Sequence, residues 1–227
     1  MLARYCLKKA SSAPFVFLHG FLGNHNDWKP IADKLPFHAI ALDLPGHGNS
    51  PFTEDFCAAL LQTLADLPPF HLIGYSMGGR LAAQFAAKHP EKIASLTLLS
   101  THLGLKTEEE KKNRLEKDLA LAEKILTIPI DEFLIEWYDQ PLFRTLVSTM
   151  DIRSMRKEQN REGLARALLE FSLAKQGSIQ SNRLLVGEYD TLYREHYRTI
   201  PHTVIPNAGH AIHLENPDAV ARELYDL

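Results

Sequence analysis

With 227 residues, 45% of them hydrophobic and 23% charged, the chain can bury a sizeable core, and one α/β domain carrying an insertion fits this length better than two domains. A net charge of −3 without a long basic run sets nucleic acid aside as a partner. Cys6 and Cys57 supply neither a disulfide framework nor metal-ligand spacing and read as small core residues. The N-terminal stretch lacks a signal-peptide core, and no apolar run approaches the ~18 residues of a membrane span, so a soluble cytoplasmic protein without membrane partner is expected; neither a metal nor a cofactor is expected.

In chain order, Leu2–Leu7 reads as a short edge strand. Phe15–Leu18 is a continuous run of β formers, as in a strand buried on both faces, and it ends in His19-Gly20-Phe21-Leu22-Gly23. A helix is expected from about Asp27 to Leu35, a second buried strand over Phe37–Leu42, then a turn-rich stretch, Asp43-Leu44-Pro45-Gly46-His47-Gly48-Asn49-Ser50-Pro51. Thr53–Asp66 reads as an amphipathic helix with Thr53 as its N-cap. Phe70–Ile73 and Ser95–Leu99 continue the strands, with a helix over Arg80–Lys88 between them. Strands alternating with helices predict a mostly parallel sheet covered on both faces.

The alternation stops at Ser100. From there to about Ser178 the pattern is helical, with expected helices at Glu108–Leu126, Glu132–Tyr138 and Gly163–Ala174. Strands resume at Arg183–Val186 and His202–Ile205, and a last helix follows Pro217. The expected organisation is a core of residues 1–100 and 179–227 with a helical cap at 101–178. A helical insertion between strands of a parallel sheet belongs over their carboxyl ends, where such sheets bind ligands.

Gly74-Tyr75-Ser76-Met77-Gly78 stands between a strand and a helix, the context in which Gly-x-Ser-x-Gly makes a sharp turn that presents the serine. The glycines are expected because side chains at 74 and 78 would strike the neighbouring strand and helix. A serine needs a base, and the base an orienting acid. Asp190 and His210 each follow a strand, which brings both to the edge of the sheet where Ser76 emerges, in the order Ser…Asp…His. Glu188 is a rival acid nearer its strand. His213 reads as packing or capping, and His19 and His47 as loop-holding residues. The amides of Met77, at a helix start, and Phe21, after the first buried strand, are the expected oxyanion donors.

Arg80 lies four residues after Ser76 on the same helix face, where a cation opposes the helix dipole. It is either solvent-facing or paired with an acid, or it docks a substrate carboxylate. Arg114, Arg153 and Arg156 in the helical insertion are further candidates, with Trp137 and Tyr138 as aromatic walls.

With these pieces the chain resembles the α/β-hydrolase superfamily over nearly its full length, through His19–Gly23, Asp43–Ser50, Gly74–Gly79, Gly187-x-x-Asp190 and Ala208-Gly209-His210. This resemblance implies an α/β-hydrolase fold with a helical lid. Tyr75–Arg80, Glu136-Trp137-Tyr138-Asp139-Gln140-Pro141-Leu142-Phe143 and Ala208–Pro217 are similar to one branch, the 2-succinyl-6-hydroxy-2,4-cyclohexadiene-1-carboxylate synthases of menaquinone biosynthesis. In that family the triad removes a ring proton and pyruvate is eliminated, rather than an ester being hydrolysed. The resemblance implies Ser76, Asp190 and His210 as triad, Phe21 and Met77 as oxyanion donors, and Tyr75, Arg80, Trp137, Arg114 and Arg156 around a polycarboxylate substrate. No cofactor and a monomer or weak homo-oligomer are expected. Arg114 and Arg156 are carried over from a loosely aligned lid in which neighbouring basic residues compete. A small carboxylesterase or thioesterase working through an acyl-serine is the alternative. A non-enzymatic scaffold would usually lack a triad member, and here all three are present.

Overall fold

Among the residues described by the computed structural model (1–181, 183–225 and 227, with Thr149 by its backbone alone), seven strands form one sheet. They are β1 (Arg4–Lys8), β2 (Phe15–Leu18), β3 (Ala39–Leu42), β4 (Phe70–Tyr75), β5 (Ile93–Leu99), β6 (Leu184–Gly187) and β7 (Thr203–Ile205), in the spatial order β1-β3-β2-β4-β5-β6-β7. β1 pairs antiparallel with β3, and every other pairing is parallel. β2, β3 and β6 are buried along their whole length, as strands covered on both faces must be. Cys6 faces outward on the edge strand β1, and only Cys57 joins the core, so the expectation for Cys6 fails with its edge position.

Strand order fixes where a ligand can bind. From β2 the chain steps to one side to form β3 and returns to the other side to form β4. β2 and β4 are neighbours, with Leu18 level with Gly74. Such a switch point leaves a crevice beyond the strands' carboxyl ends. The residues following β2 and β4 are His19-Gly20-Phe21 and Ser76, so they flank that crevice.

The helices are α1 (Lys29–Ala32), α2 (Phe56–Thr63), α3 (Met77–Lys88), α4 (Glu108–Thr127), α5 (Ile130–Tyr138), α6 (Arg144–Thr149), α7 (Arg161–Glu170), α8 (Thr191–His196), α9 (Ile212–Glu215) and α10 (Pro217–Tyr225). α4 begins with a capping box between Thr107 and Glu110, and its first turn carries three glutamates that suit the helix dipole. α2 starts later than expected. Asp55, not Thr53, caps it by accepting from the Ala58 amide. The helix expected from Asp27 shrinks to a 3-10 turn at His25–Trp28 followed by the single turn α1, because Pro36 disfavours helix at Leu35. α6, α8 and α9 are too short to show a periodic signal in the sequence. α4 to α7 all lie between β5 and β6, where the strand alternation breaks. None of the described helices is long and apolar enough to cross a membrane.

Candidate active site

Ser76 occupies the turn between β4 and α3 with φ of 50° and ψ of −110°, a conformation that strains a non-glycine residue by about 1–3 kcal/mol. The turn survives because nothing on either side of it has bulk. A Cβ at Gly74 would come within 2.6 Å of the Gly79 Cα, and one at Gly78 within 2.3 Å of the His19 carbonyl oxygen. The Ser76 amide is tied to the Leu99 carbonyl at 2.9 Å, so β5 holds the turn from below. Its side chain is left half-buried at the mouth of the crevice.

Asp190 and His210 meet as expected. His210 Nδ1 lies 2.7 Å from Asp190 Oδ2, with both residues almost fully buried. A carboxylate only accepts, so Nδ1 carries the proton and Nε2 keeps its lone pair while the ring is neutral. Asp190 is held for this task by its other oxygen, which caps α8 through the Tyr193 amide at 3.2 Å. The rival Glu188 is used differently: Oε2 accepts from the Asn207 amide at 2.9 Å and joins the two loops. The His210 ring packs 5.4 Å from the Tyr75 ring, beside Ser76, with Tyr193 and Phe143 on its other sides. Neither the Phe21 amide nor the Met77 amide donates to any described residue.

His19 holds its loop, as expected. Nε2 accepts from the Leu44 amide at 2.9 Å, so Nδ1 carries the hydrogen and donates to the Gly20 carbonyl at 2.7 Å. Burial lowers its pKa to about 4 and keeps the ring neutral. The Phe21 loop is thereby tied to the Asp43 loop.

Ser76 opens on a cavity of ≈ 40 Å³ whose wall includes Phe21, Tyr75, Trp137, Tyr138, Phe143, Arg156 and His213. At ~10–15 Å³ per water, it has room for a few waters. Trp137 stands edge-on to Phe21, with ring centroids 5.1 Å apart, and brings α5 onto the crevice.

The arginines are distributed unevenly. Arg156 is buried against Asp27, with Nη2 donating to Oδ2 at 2.9 Å and Nη1 lying 2.8 Å from Oδ1. Its Nε reaches the Tyr138 hydroxyl at 3.4 Å. Burial works against the charge, but Asp27 and Tyr138 outweigh it, and the guanidinium is held more firmly protonated than usual. Arg80 is not solvent-facing, and it has no ion-pair partner among the described residues. It is buried, and Nη1 donates to the Phe171 carbonyl at 2.7 Å and to Gln176 Oε1 at 3.2 Å. Burial, and after it the charge of Arg114, lowers its pKa to about 10, so it remains a cation near neutral pH. Arg80 is not part of the cavity wall. Neither is Arg114, which clamps both oxygens of the buried Asp118 and stays partly open to solvent. Arg153 is exposed. Asp27 went unnoticed in the sequence. It sits in a polar turn without periodicity, and its partner lies 129 positions away.

Residues 13–127 match the family described as having the alpha/beta hydrolase fold. The 2-succinyl-6-hydroxy-2,4-cyclohexadiene-1-carboxylate synthase of Enterobacter sp. (strain 638) is 34% identical over 91% of this chain and 88% of its own length. Among solved structures, MenH from S. aureus superposes with a TM-score of 0.88 at 27% identity, over 99% of this chain and 96% of that one. A thermophilic esterase from Thermogutta terrifontis, with malate bound, gives a TM-score of 0.80 at 26% identity, over 99% and 92%.

Proposed function

Because the chain belongs to the 2-succinyl-6-hydroxy-2,4-cyclohexadiene-1-carboxylate synthase family, within the α/β-hydrolase fold, we propose that this site is that of a carbon–oxygen lyase of menaquinone biosynthesis. It eliminates pyruvate from 2-succinyl-5-enolpyruvyl-6-hydroxy-3-cyclohexene-1-carboxylate. The observation that carries the reading is the buried His210–Asp190 pair, its imidazole packed on the ring of Tyr75, the residue that precedes the strained Ser76, in a chain similar to these synthases over nine-tenths of its length.

The chemistry follows from the arrangement. Asp190 fixes the His210 tautomer, so Nε2 can accept the Ser76 proton as the serine oxygen takes a proton from the ring carbon beside the succinyl ketone. The electron pair from that C–H bond moves onto the ketone oxygen, and the free amides of Phe21 and Met77 stabilise the resulting enolate. Collapse of the enolate forms a double bond to the next ring carbon, the existing ring double bond shifts one position along, and the C–O bond to the enolpyruvyl group breaks. The released enolpyruvate takes up, at its methylene carbon, the proton held by His210 and becomes pyruvate. Tyr75 and Trp137 supply walls.

The arginines supply charge. Arg156, at the cavity wall, is the cation best situated for a substrate carboxylate, and Asp27 holds the position until one arrives. Arg80 and Arg114 act on substrate only after the helical segment shifts, because at present both hold that segment together. The segment serves as a lid in this reading. The small cavity is its closed state, and substrate entry requires α5 and the following turns to lift.

The likeness to an esterase favours one second reading, ester hydrolysis through an acyl-Ser76 intermediate. Incubation with the enolpyruvyl substrate separates the two, with pyruvate release and diene absorbance followed together. Turnover that disappears in Ser76→Ala supports the lyase. No turnover, with an acyl-enzyme burst from a short nitrophenyl ester, replaces it with the hydrolase.

A further inference from the structure

His213 lies one helical turn beyond His210, at the start of the short helix α9. It is fully buried, and its ring is held between Trp28 and Tyr75, with centroid distances of 4.7 and 4.3 Å. Packing alone would account for a ring in this position, but not for its nitrogens. Neither Nδ1 nor Nε2 has a hydrogen-bond partner among the described residues. His19 shows what a purely structural buried histidine looks like nearby, with both nitrogens engaged by the backbone. A neutral imidazole always presents one N–H and one lone pair, and buried polar atoms are ordinarily paired.

His213 also forms part of the cavity wall, together with Ser76, Tyr75 and Arg156. Burial, with Arg156 nearby, lowers its pKa to about 3, so the ring enters the reaction uncharged. An uncharged group that both donates and accepts is poorly suited to a carboxylate, which Arg156 serves better. It suits a hydroxyl, which also donates and accepts. Resting on the proposed lyase reading, we infer that His213 is a substrate-contacting residue that hydrogen-bonds the ring hydroxyl and selects for hydroxylated rings.

The test compares two ligands by calorimetry in wild type and His213→Phe. One is the product, 2-succinyl-6-hydroxy-2,4-cyclohexadiene-1-carboxylate, and the other its dehydrated aromatic analogue 2-succinylbenzoate, which lacks the hydroxyl. Phenylalanine keeps the aromatic stack, and an unchanged melting temperature and unchanged labelling of Ser76 by a fluorophosphonate certify fold and triad. The expected result is product affinity weakened about tenfold or more, with the analogue's affinity held within about twofold. His213→Gln, which retains a donor and an acceptor, should restore part of the loss. Equal weakening of both ligands, or of neither, overturns the inference and leaves His213 a packing residue. A wild type that releases no pyruvate and binds neither ligand overturns the lyase reading and this inference with it.

Discussion

Two buried acid–base pairs organise this site, and they differ in how they are made. Asp190 and His210 are 20 positions apart, on loops that follow the neighbouring strands β6 and β7. Asp27 and Arg156 are 129 positions apart, one in the 3-10 turn that follows β2 and the other on the helical segment. The first pair is assembled by strand order alone. The second exists only when the helical segment is folded back onto the core. In the proposed reading the first belongs to the reaction, and the second fastens the helical segment onto the core.

Asp190→Asn should separate the two functions most sharply. Asparagine can still cap α8, but it can donate to His210 and reverse the tautomer, so activity should fall by about 10³–10⁴-fold while the melting temperature barely moves. A large thermal shift with modest activity loss would make Asp190 a structural residue and erase the contrast. Asp27→Asn should do the opposite. It leaves Arg156 buried without its counter-charge, at a cost of about 3–5 kcal/mol, readable as a lower denaturation midpoint. Replacing both partners, Asp27→Leu with Arg156→Met, should recover most of that stability but not substrate affinity. If the single change leaves stability untouched, the pair is not what holds the helical segment down.

Acid should loosen both regions through histidines that remain neutral when folded. His19 has its pKa lowered to about 4, and His47 and His213 to about 3, in each case chiefly by burial. The unfolded chain takes up these protons from about pH 6.5 downward and the folded one does not, so stability is present above that pH and is lost on acidification. Each histidine contributes up to about 1.4 kcal/mol per pH unit in that window. Urea titrations at pH 7, 6 and 5 measure the slope, and identical midpoints at all three would refute the neutral assignment. The smallest effect is expected for Gln159→Ala. Gln159 bridges helical segment and core by donating to the Leu22 carbonyl at 2.7 Å and accepting from the Gly48 amide at 3.1 Å. Its loss should cost about 1 kcal/mol, and amide exchange should accelerate around Gly48 before it does around Ser76.

Much of the site was legible in the chain because its parts lie at strand ends. Ser76, Asp190, His210 and Phe21 each follow an apolar run of β formers, so counting strands brings them to one edge. The arginines had no such frame. Arg80 reads in sequence as a helix-face cation free for solvent or substrate, yet it is consumed by the Phe171 carbonyl and Gln176, more than ninety positions downstream. Arg156 reads as one of several basic residues in a polar stretch and turns out to be the buried one. His213 could be seen in the sequence, but its unpaired nitrogens could not.

Local chemistry and strand rhythm determined the sheet, the elbow at Ser76 and the order of the three residues around it, because β burial and turn geometry act over a few neighbouring positions. The tertiary structure decided which charges are spent on holding the helical segment and which reach the cavity. Those pairings join residues far apart in sequence, and they form only once the segment has settled on the core.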